Sequence, residues 1–184
     1  VNSTGAWTQS GINPTIRMHG DCDTFVRLQA LQTTGEVSNG AGIVIWMANG
    51  HQIELFRRHQ KDNRQRVTVG WKEPAGDGEF RSSWQHISSE AMQGTLRIAR
   101  RGDEILTLFA ENDSDQFRLV DSRVIPDCAK HRAALRLQAI ANNGGNTVAA
   151  FASLRIEAAE LWHVPDPREA IPTTLFVMNA DGSE

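Results

Sequence analysis

The chain has 184 residues, 40% of them hydrophobic and 22% charged, and carries a net charge of −3 at pH 7. This profile fits a globular unit with one well-buried core, excludes a disordered chain, and gives no bulk drive toward nucleic acid or an anionic membrane. No apolar run reaches the ~18–20 residues of a membrane span, and no basic-then-apolar leader follows Val1, so the chain reads as a processed or excised module.

In chain order, residues 1–11 are small and polar and read as a lead-in, followed by a short strand from Ile12 to Met18 and a turn at His19-Gly20-Asp21. From Phe25 to Leu31, Val26, Leu28 and Ala30 alternate with Arg27 and Gln29, the period of a half-buried strand. The strongest local signal is the stretch from Gly40 to Arg58. Two runs rich in β-branched and aromatic residues flank Asn49-Gly50, a dipeptide suited to the positive φ angles of a tight hairpin. A polar loop, His59 to Gln65, at the centre of a basic loop Arg57–Arg66, leads to a strand at Arg66–Trp71, where Val67, Val69 and Trp71 share one face. Residues 72–81, with Pro74, Gly76 and Gly78, read as a loop, and Trp84–Ile87 fits no clear element.

A second hairpin is expected from Gly94 to Ala110 about the turn Arg101-Gly102-Asp103, with strand character resuming at Phe117–Val120. Strands at Ala133–Ile140 and Val148–Glu157 complete the set. Short strands joined by Gly, Asn and Asp turns, with no amphipathic helix between them, indicate an all-β, antiparallel sandwich or barrel over residues 1–157. Residues 158–184, broken by Pro165, Pro167 and Pro172, read as an extension that packs on the sandwich or leads to a neighbouring domain.

Cys22 and Cys128 are the only cysteines and either stay free or form one bridge. A bridge would close a loop of roughly 100 residues and contribute on the order of 4–5 kcal/mol in the chain-entropy model. The six histidines show no i, i+4 or i, i+2 pairing. Ser88 and Ser89 lack a nucleophile-elbow context, and Gly76-Asp77-Gly78 is too short to cradle a phosphate. Asn2-Ser3-Thr4 and Asn112-Asp113-Ser114 fit the glycosylation triplet.

Several stretches belong together: Asp21-Cys22-Asp23-Thr24-Phe25 entering a strand, Gly40-Ala41-Gly42-Ile43, and Gln52-Ile53-Glu54-Leu55-Phe56-Arg57-Arg58. Gly94–Ile98 with the charged turn Arg101-Gly102-Asp103, and the closing run Ala149–Ile156, complete the set. Taken together they resemble the concanavalin A-like lectin/glucanase superfamily, and most nearly its uncharacterised members found as modules of secreted bacterial proteins. The resemblance implies a concanavalin A-like jelly roll, an extracytoplasmic location, and a sugar-binding concave face on one curved sheet. It also marks departures. The Glu-x-Asp-x-x-Glu run of the glucanases is absent, so no catalytic residues are assigned. The calcium that legume-type lectins hold would fall to Asp21 and Asp23, or Asp113 and Asp115, which also suit plain turn chemistry.

The residues alternating out of the core that would line such a face are Arg27, Gln29, Trp46, Glu54, Arg58, Arg97, Arg136 and Gln138. Indole faces stack on sugar rings, and Arg, Glu and Gln give directional bonds to hydroxyls. The same pattern also describes any one-sided sheet, with Trp46 in the core and Glu54 in an ion pair. The expected function is a non-catalytic module binding carbohydrate or a neighbouring protein domain. The competing readings are a polysaccharide hydrolase or lyase drawing on Glu54, Glu111 and Asp121, and a structural spacer.

Overall fold

The computed structural model describes residues 8–35, 38–59, 64–142 and 144–163. They form β1 (Thr8–Ile12), β2 (Ile16–Thr34), β3 (Asn39–Met47), β4 (Gln52–His59), β5 (Gln65–Gly76), β6 (Glu79–Ser88), β7 (Gly94–Arg101), β8 (Glu104–Glu111), β9 (Arg118–Val124), β10 (Ala133–Ala141) and β11 (Asn146–His163), with a single 3-10 turn at Cys128–Lys130. All pairings are antiparallel. One layer runs β6-β5-β4-β3-β10, and the other runs β11-β2-β7-β8-β9. The start of β2 pairs with β10, so the two layers form one nearly closed, jelly-roll-like sandwich.

The long β2 makes this closure. Asn13-Pro14-Thr15 separates β1 from β2, and Pro14 cannot donate to a ladder, so the break falls there. On either side of the break, β1 and the first residues of β2 pair with the same edge of β10. His19-Gly20-Asp21, expected as a turn, lies inside β2. Gly20 takes φ +68, and the ladder to β11 shifts register between Ala158 and Glu160 opposite it. A glycine at this irregularity lets the strand bend from one layer into the other without ending.

Between the layers lies one main core, including Met18, Val26, Ile43, Leu55, Val69, Trp71, Leu96, Phe109 and Leu135. Each is the inward member of a period-2 run, which is why the strands form where the alternation predicts them. Trp71 is 2% exposed, and its indole N–H donates to Asp121 Oδ2 at 2.9 Å across the layers. The hairpins at Asn49-Gly50 and Arg101-Gly102-Asp103 are present, with Gly50 at φ +89 and Gly102 at φ +57.

Other boundaries differ from the sequence reading. The lead-in contains β1, and residues 72–81 are mostly strand, the turn being confined to Asp77-Gly78. Trp84 belongs to the edge strand β6. The last strand does not end at Glu157. It continues paired to β2 as far as His163 opposite Ile16, while residues 164–184 lie outside the described residues. Of the basic loop, Arg57 and Arg58 are buried on β4 and residues 60–63 lie outside the described residues.

Two arginines sit inside the sandwich. Arg57 donates to the carbonyls of Ala91 (2.7 Å), Ser89 (2.8 Å), Arg66 (3.0 Å) and Arg58 (3.1 Å). Burial pushes its pKa down to about 10, still far above neutrality. Arg100 likewise donates to the carbonyls of Gly20 (2.6 Å), His131 (3.0 Å) and Cys128 (3.1 Å). Each guanidinium thus serves several backbone carbonyls at once inside the sandwich. Cys22 and Cys128 are free and buried, and burial raises both thiols, Cys128 to about 11.

Replacing Arg57 with Leu removes hydrogen bonds to four carbonyls. The expected cost is about 3–5 kcal/mol, read as a lower urea midpoint, with Arg57→Lys intermediate because it lacks the planar fork. The two thiols are expected to resist iodoacetamide at pH 8 in the native protein and to react after unfolding, scored by mass spectrometry.

Candidate functional site

The outer face of the β6-β5-β4-β3-β10 layer is organised in cross-strand rows. One row reads Trp162 (β11), Arg17 (β2), Ala134 (β10), Trp46 (β3), Gln52 (β4), Lys72 (β5) and Ser82 (β6), each directly opposite the next. The adjoining row reads Arg136, Val44, Glu54, Gly70 and Trp84, and the one beyond it Gln138, Gly42, Phe56, Thr68 and His86. This face is far from a simple solvated surface. Val44, Phe56 and Ile140 are fully buried on it, and Glu54 and Arg58 are each 5% exposed.

A chain of polar contacts fixes its centre. The Trp46 indole N–H donates to Gln52 Oε1 (2.9 Å), Gln52 Nε2 donates to Glu54 Oε1 (2.6 Å), and Lys72 Nζ pairs with the same oxygen at 2.6 Å. Arg58 Nη2 lies 3.8 Å from Glu54 Oε2, and Arg58 Nη1 donates to Ser38 Oγ at 3.1 Å. The Arg58 guanidinium is 5.0 Å from the Phe56 ring centre and 5.1 Å from that of Trp84. Burial lowers its pKa to about 10, with Glu54 acting in the opposite direction. Gly70 provides the space for Trp84, since a Cβ there would fall inside the indole. Glu54 is thus bound by two cations and an amide, the arrangement of a positioning anion rather than of a free acid or nucleophile.

The eight residues singled out in the sequence do not share one face. Trp46, Glu54, Arg58, Arg136 and Gln138 lie together on this outer face. Arg27, Gln29 and Arg97 lie in the opposite layer, on β2 and β7. The reason is topological. Every strand of a sandwich shows the same alternation, and periodicity does not say which layer a strand joins. Arg27 pairs with Asp113 and the Asn112 carbonyl. Arg97 donates to Asp23 (2.7 Å) and stacks against Phe25 and Phe117 at 4.9 and 5.4 Å.

Of the carboxylates considered for catalysis, Asp121 is bonded to the core Trp71, Glu111 pairs with Arg118 at 2.6 Å, and Glu54 lies on the outer face. They occupy three separate settings. Asp21 accepts from the Gly102 N–H at 2.7 Å, and Asp23 is held by Arg97 and Arg101. Among the described residues no group of three or more His, Cys, Asp or Glu side chains converges as metal ligands would.

A groove opens at one end of the outer face. Two adjoining cavities of about 440 and 450 Å³ share Arg17, Trp46 and Ala134. Trp162 and Arg132 line the first, with the Arg132 guanidinium 5.0 Å from the Trp162 ring centre, and Arg136 lines the second. Trp46 and Trp162 are half-buried and stand three strand spacings apart, about 14 Å. Sequence reasoning missed Arg17, Arg132 and Trp162. The available signal was that no glycine or proline interrupts the chain between Val148 and Val164, so the last strand had room to reach Trp162.

The chain matches a family model over residues 1–181, described as "Protein of unknown function (DUF1583) C domain". It belongs to that family. No curated protein matches it in sequence. Among solved structures it is similar to a functionally unknown protein from Saccharomyces cerevisiae, with a TM-score of 0.61 and 16% identity, covering 80% of this chain and 72% of that one. A second is a Crh5 transglycosylase in complex with NAG, with a TM-score of 0.57 and 13% identity, covering 86% and 72%. A third is the exoplasmic/lumenal domain of VIP36 in a Ca2+/Man-bound form, with a TM-score of 0.54 and 12% identity, covering 89% and 79%. The fold is that of the concanavalin A-like lectins and glucanases, as the sequence motifs implied.

Gly70→Val is expected to displace Trp84 and release Arg58 from its stack, lowering stability by about 1–3 kcal/mol. The measurements are the urea midpoint and the tryptophan emission maximum, which should shift to the red.

A second expectation concerns acid. Burial would raise the Asp23 carboxyl, but hydrogen bonds from Arg97 and Arg101 hold it below its ordinary value. Its stabilising contribution is therefore complete above the unfolded pKa of about 3.9 and disappears as pH falls through the lower folded value. Asp23→Asn should remove that part of the acid dependence below pH 4 in melting temperatures recorded across pH.

Proposed function

We propose that this chain is a carbohydrate-binding module that works outside the cytoplasm within a larger protein, and that it binds through the groove between Trp46 and Trp162. The observation that carries this reading is the cross-strand row. It places two half-buried indoles on one face with Arg17 and Ala134 between them, and Gln52 locks the Trp46 ring in orientation. Aromatic faces at a fixed spacing, with directional donors beside them, suit stacked sugar rings and their hydroxyls. A locked indole also reduces the ordering cost of binding.

The relatives' fold supports the reading without supplying an activity, because likeness at 12–16% identity concerns architecture alone. Binding is favoured over hydrolysis by the state of Glu54. It is the one carboxylate that the described residues of β3, β4, β5 and β10 place on this face, and Lys72, Arg58 and Gln52 surround it. A retaining or inverting hydrolase needs a facing pair.

The test is a glycan array probed with the purified chain, with calcium and with chelator. Specific glycan signals should appear, and Trp46→Ala should weaken the best of them about tenfold or more while leaving the far-UV circular dichroism unchanged. Chelator sensitivity would reveal a cation requirement. Silence on every glycan class, or binding that Trp46→Ala leaves intact, would reject this groove as a sugar site.

A further inference from the structure

We infer that the groove selects acidic glycans, its three arginines holding the carboxylate or sulfate groups of an anionic polysaccharide. This rests on the carbohydrate reading and adds the ligand's charge to it. Arg17 stands in the row between the two indoles. Arg132, Ala134 and Arg136 follow at every second position along the chain, so the two β10-side arginines flank that row about 13 Å apart, one on each side. Arg132 lies against Trp162.

These three cations share one groove, and among the described residues they have no counter-charge there. Arg27, Arg97, Arg101, Arg118, Arg123 and Arg155 each have a carboxylate partner. Among the described residues Arg17, Arg132 and Arg136 have none. Arg17 donates to the Ile16 carbonyl, Arg132 stacks on Trp162, and Arg136 Nε is buried without a hydrogen-bond partner. The described residues lining both cavities include no Asp or Glu. The nearby Glu160 pairs instead with His19 at 3.6 Å.

This concentration of positive charge occurs in a chain whose net charge is −3, so it is local and not a reflection of bulk composition. Guanidinium groups bond planar carboxylates and sulfates through paired N–H donors, and converging cations on a half-buried surface are stabilised when an anion enters. The two indoles would meanwhile restrict the anion to one carried on stackable rings, which separates a polysaccharide from a simple polyanion.

Isothermal titration with four probes of matched length tests this: polygalacturonate, a sulfated galactan, a neutral glucan and single-stranded DNA. Polygalacturonate or the sulfated galactan should bind at least tenfold more tightly than the neutral glucan, and the better of the two identifies the anionic group. That affinity should fall about fivefold or more between 50 mM and 500 mM salt. Arg132→Ala removes an exposed side chain that the fold does not need. It should lower acidic-glycan affinity about fivefold or more, with Arg132→Lys intermediate.

Equal affinity for neutral and acidic glycans, or acidic-glycan binding that Arg132→Ala and Arg17→Ala both leave intact, overturns the inference while the carbohydrate reading stands. DNA binding as tight as the acidic glycans also overturns it, because the groove would then be a general polyanion surface. Absence of binding to all three glycans overturns the inference, and the glycan array then decides whether the carbohydrate reading falls with it.

Discussion

The arrangement depends on one strand satisfying both of its edges while belonging to both layers. Over Cys22–Leu28, β2 is bonded to β7 on one side and to β11 on the other, and at Arg17 and Met18 it reaches β10. A strand buried in this way has no spare backbone donors, so it cannot end where it leaves one layer without orphaning its neighbours. The bend at Gly20 is the solution, and Arg100 secures it by donating to the Gly20 carbonyl. Because β2 crosses over, Arg17 and Trp162 join the outer face of the other layer, and the candidate groove exists only as a consequence of that crossing.

The abundance of arginine over lysine is explained by three distinct uses. Arg57 and Arg100 close backbone carbonyls inside the sandwich, where a forked planar donor satisfies several acceptors that a point charge would leave unmet. Arg58, Arg97 and Arg123 combine an aromatic stack with a carboxylate partner. In the groove the cations meet, among the described residues, aromatic or backbone groups and no carboxylate. The first two uses maintain the architecture, and the third is the one on which the proposed binding role rests.

The outer face also shows how a sheet surface is fixed by its own side chains. Gly70 admits Trp84 against the backbone, Arg58 covers that ring, and Glu54 links Arg58, Lys72 and Gln52 to the indole of Trp46. Such a network costs desolvation and repays it in rigidity, which matters more for orienting a stacking surface than for net stability. The groove inherits that rigidity at Trp46, while Trp162 is carried by the end of a strand that, among the described residues, pairs along one edge only.

The alternation in the sequence, together with Asn49-Gly50 and Arg101-Gly102-Asp103, determined the strands, the two hairpins and an all-β sandwich, because side-chain period and turn chemistry are local properties. It also marked Trp71 as core, and Arg27, Gln29, Trp46, Glu54, Arg58, Arg97, Arg136 and Gln138 as candidates for one surface, although Arg27, Gln29 and Arg97 lie in the other layer. Layer membership was not local. Arg27 and Arg97 have the same periodic signature as Arg58 and Arg136, and only long-range pairing separates them. Gly20 looked like a turn because its conformation is turn-like, while the hydrogen bonds that keep β2 continuous come from residues more than a hundred positions away. The convergence of Arg17, Arg132 and Trp162 was decided by tertiary structure alone, since it joins three distant segments through ladder registers that no single segment encodes.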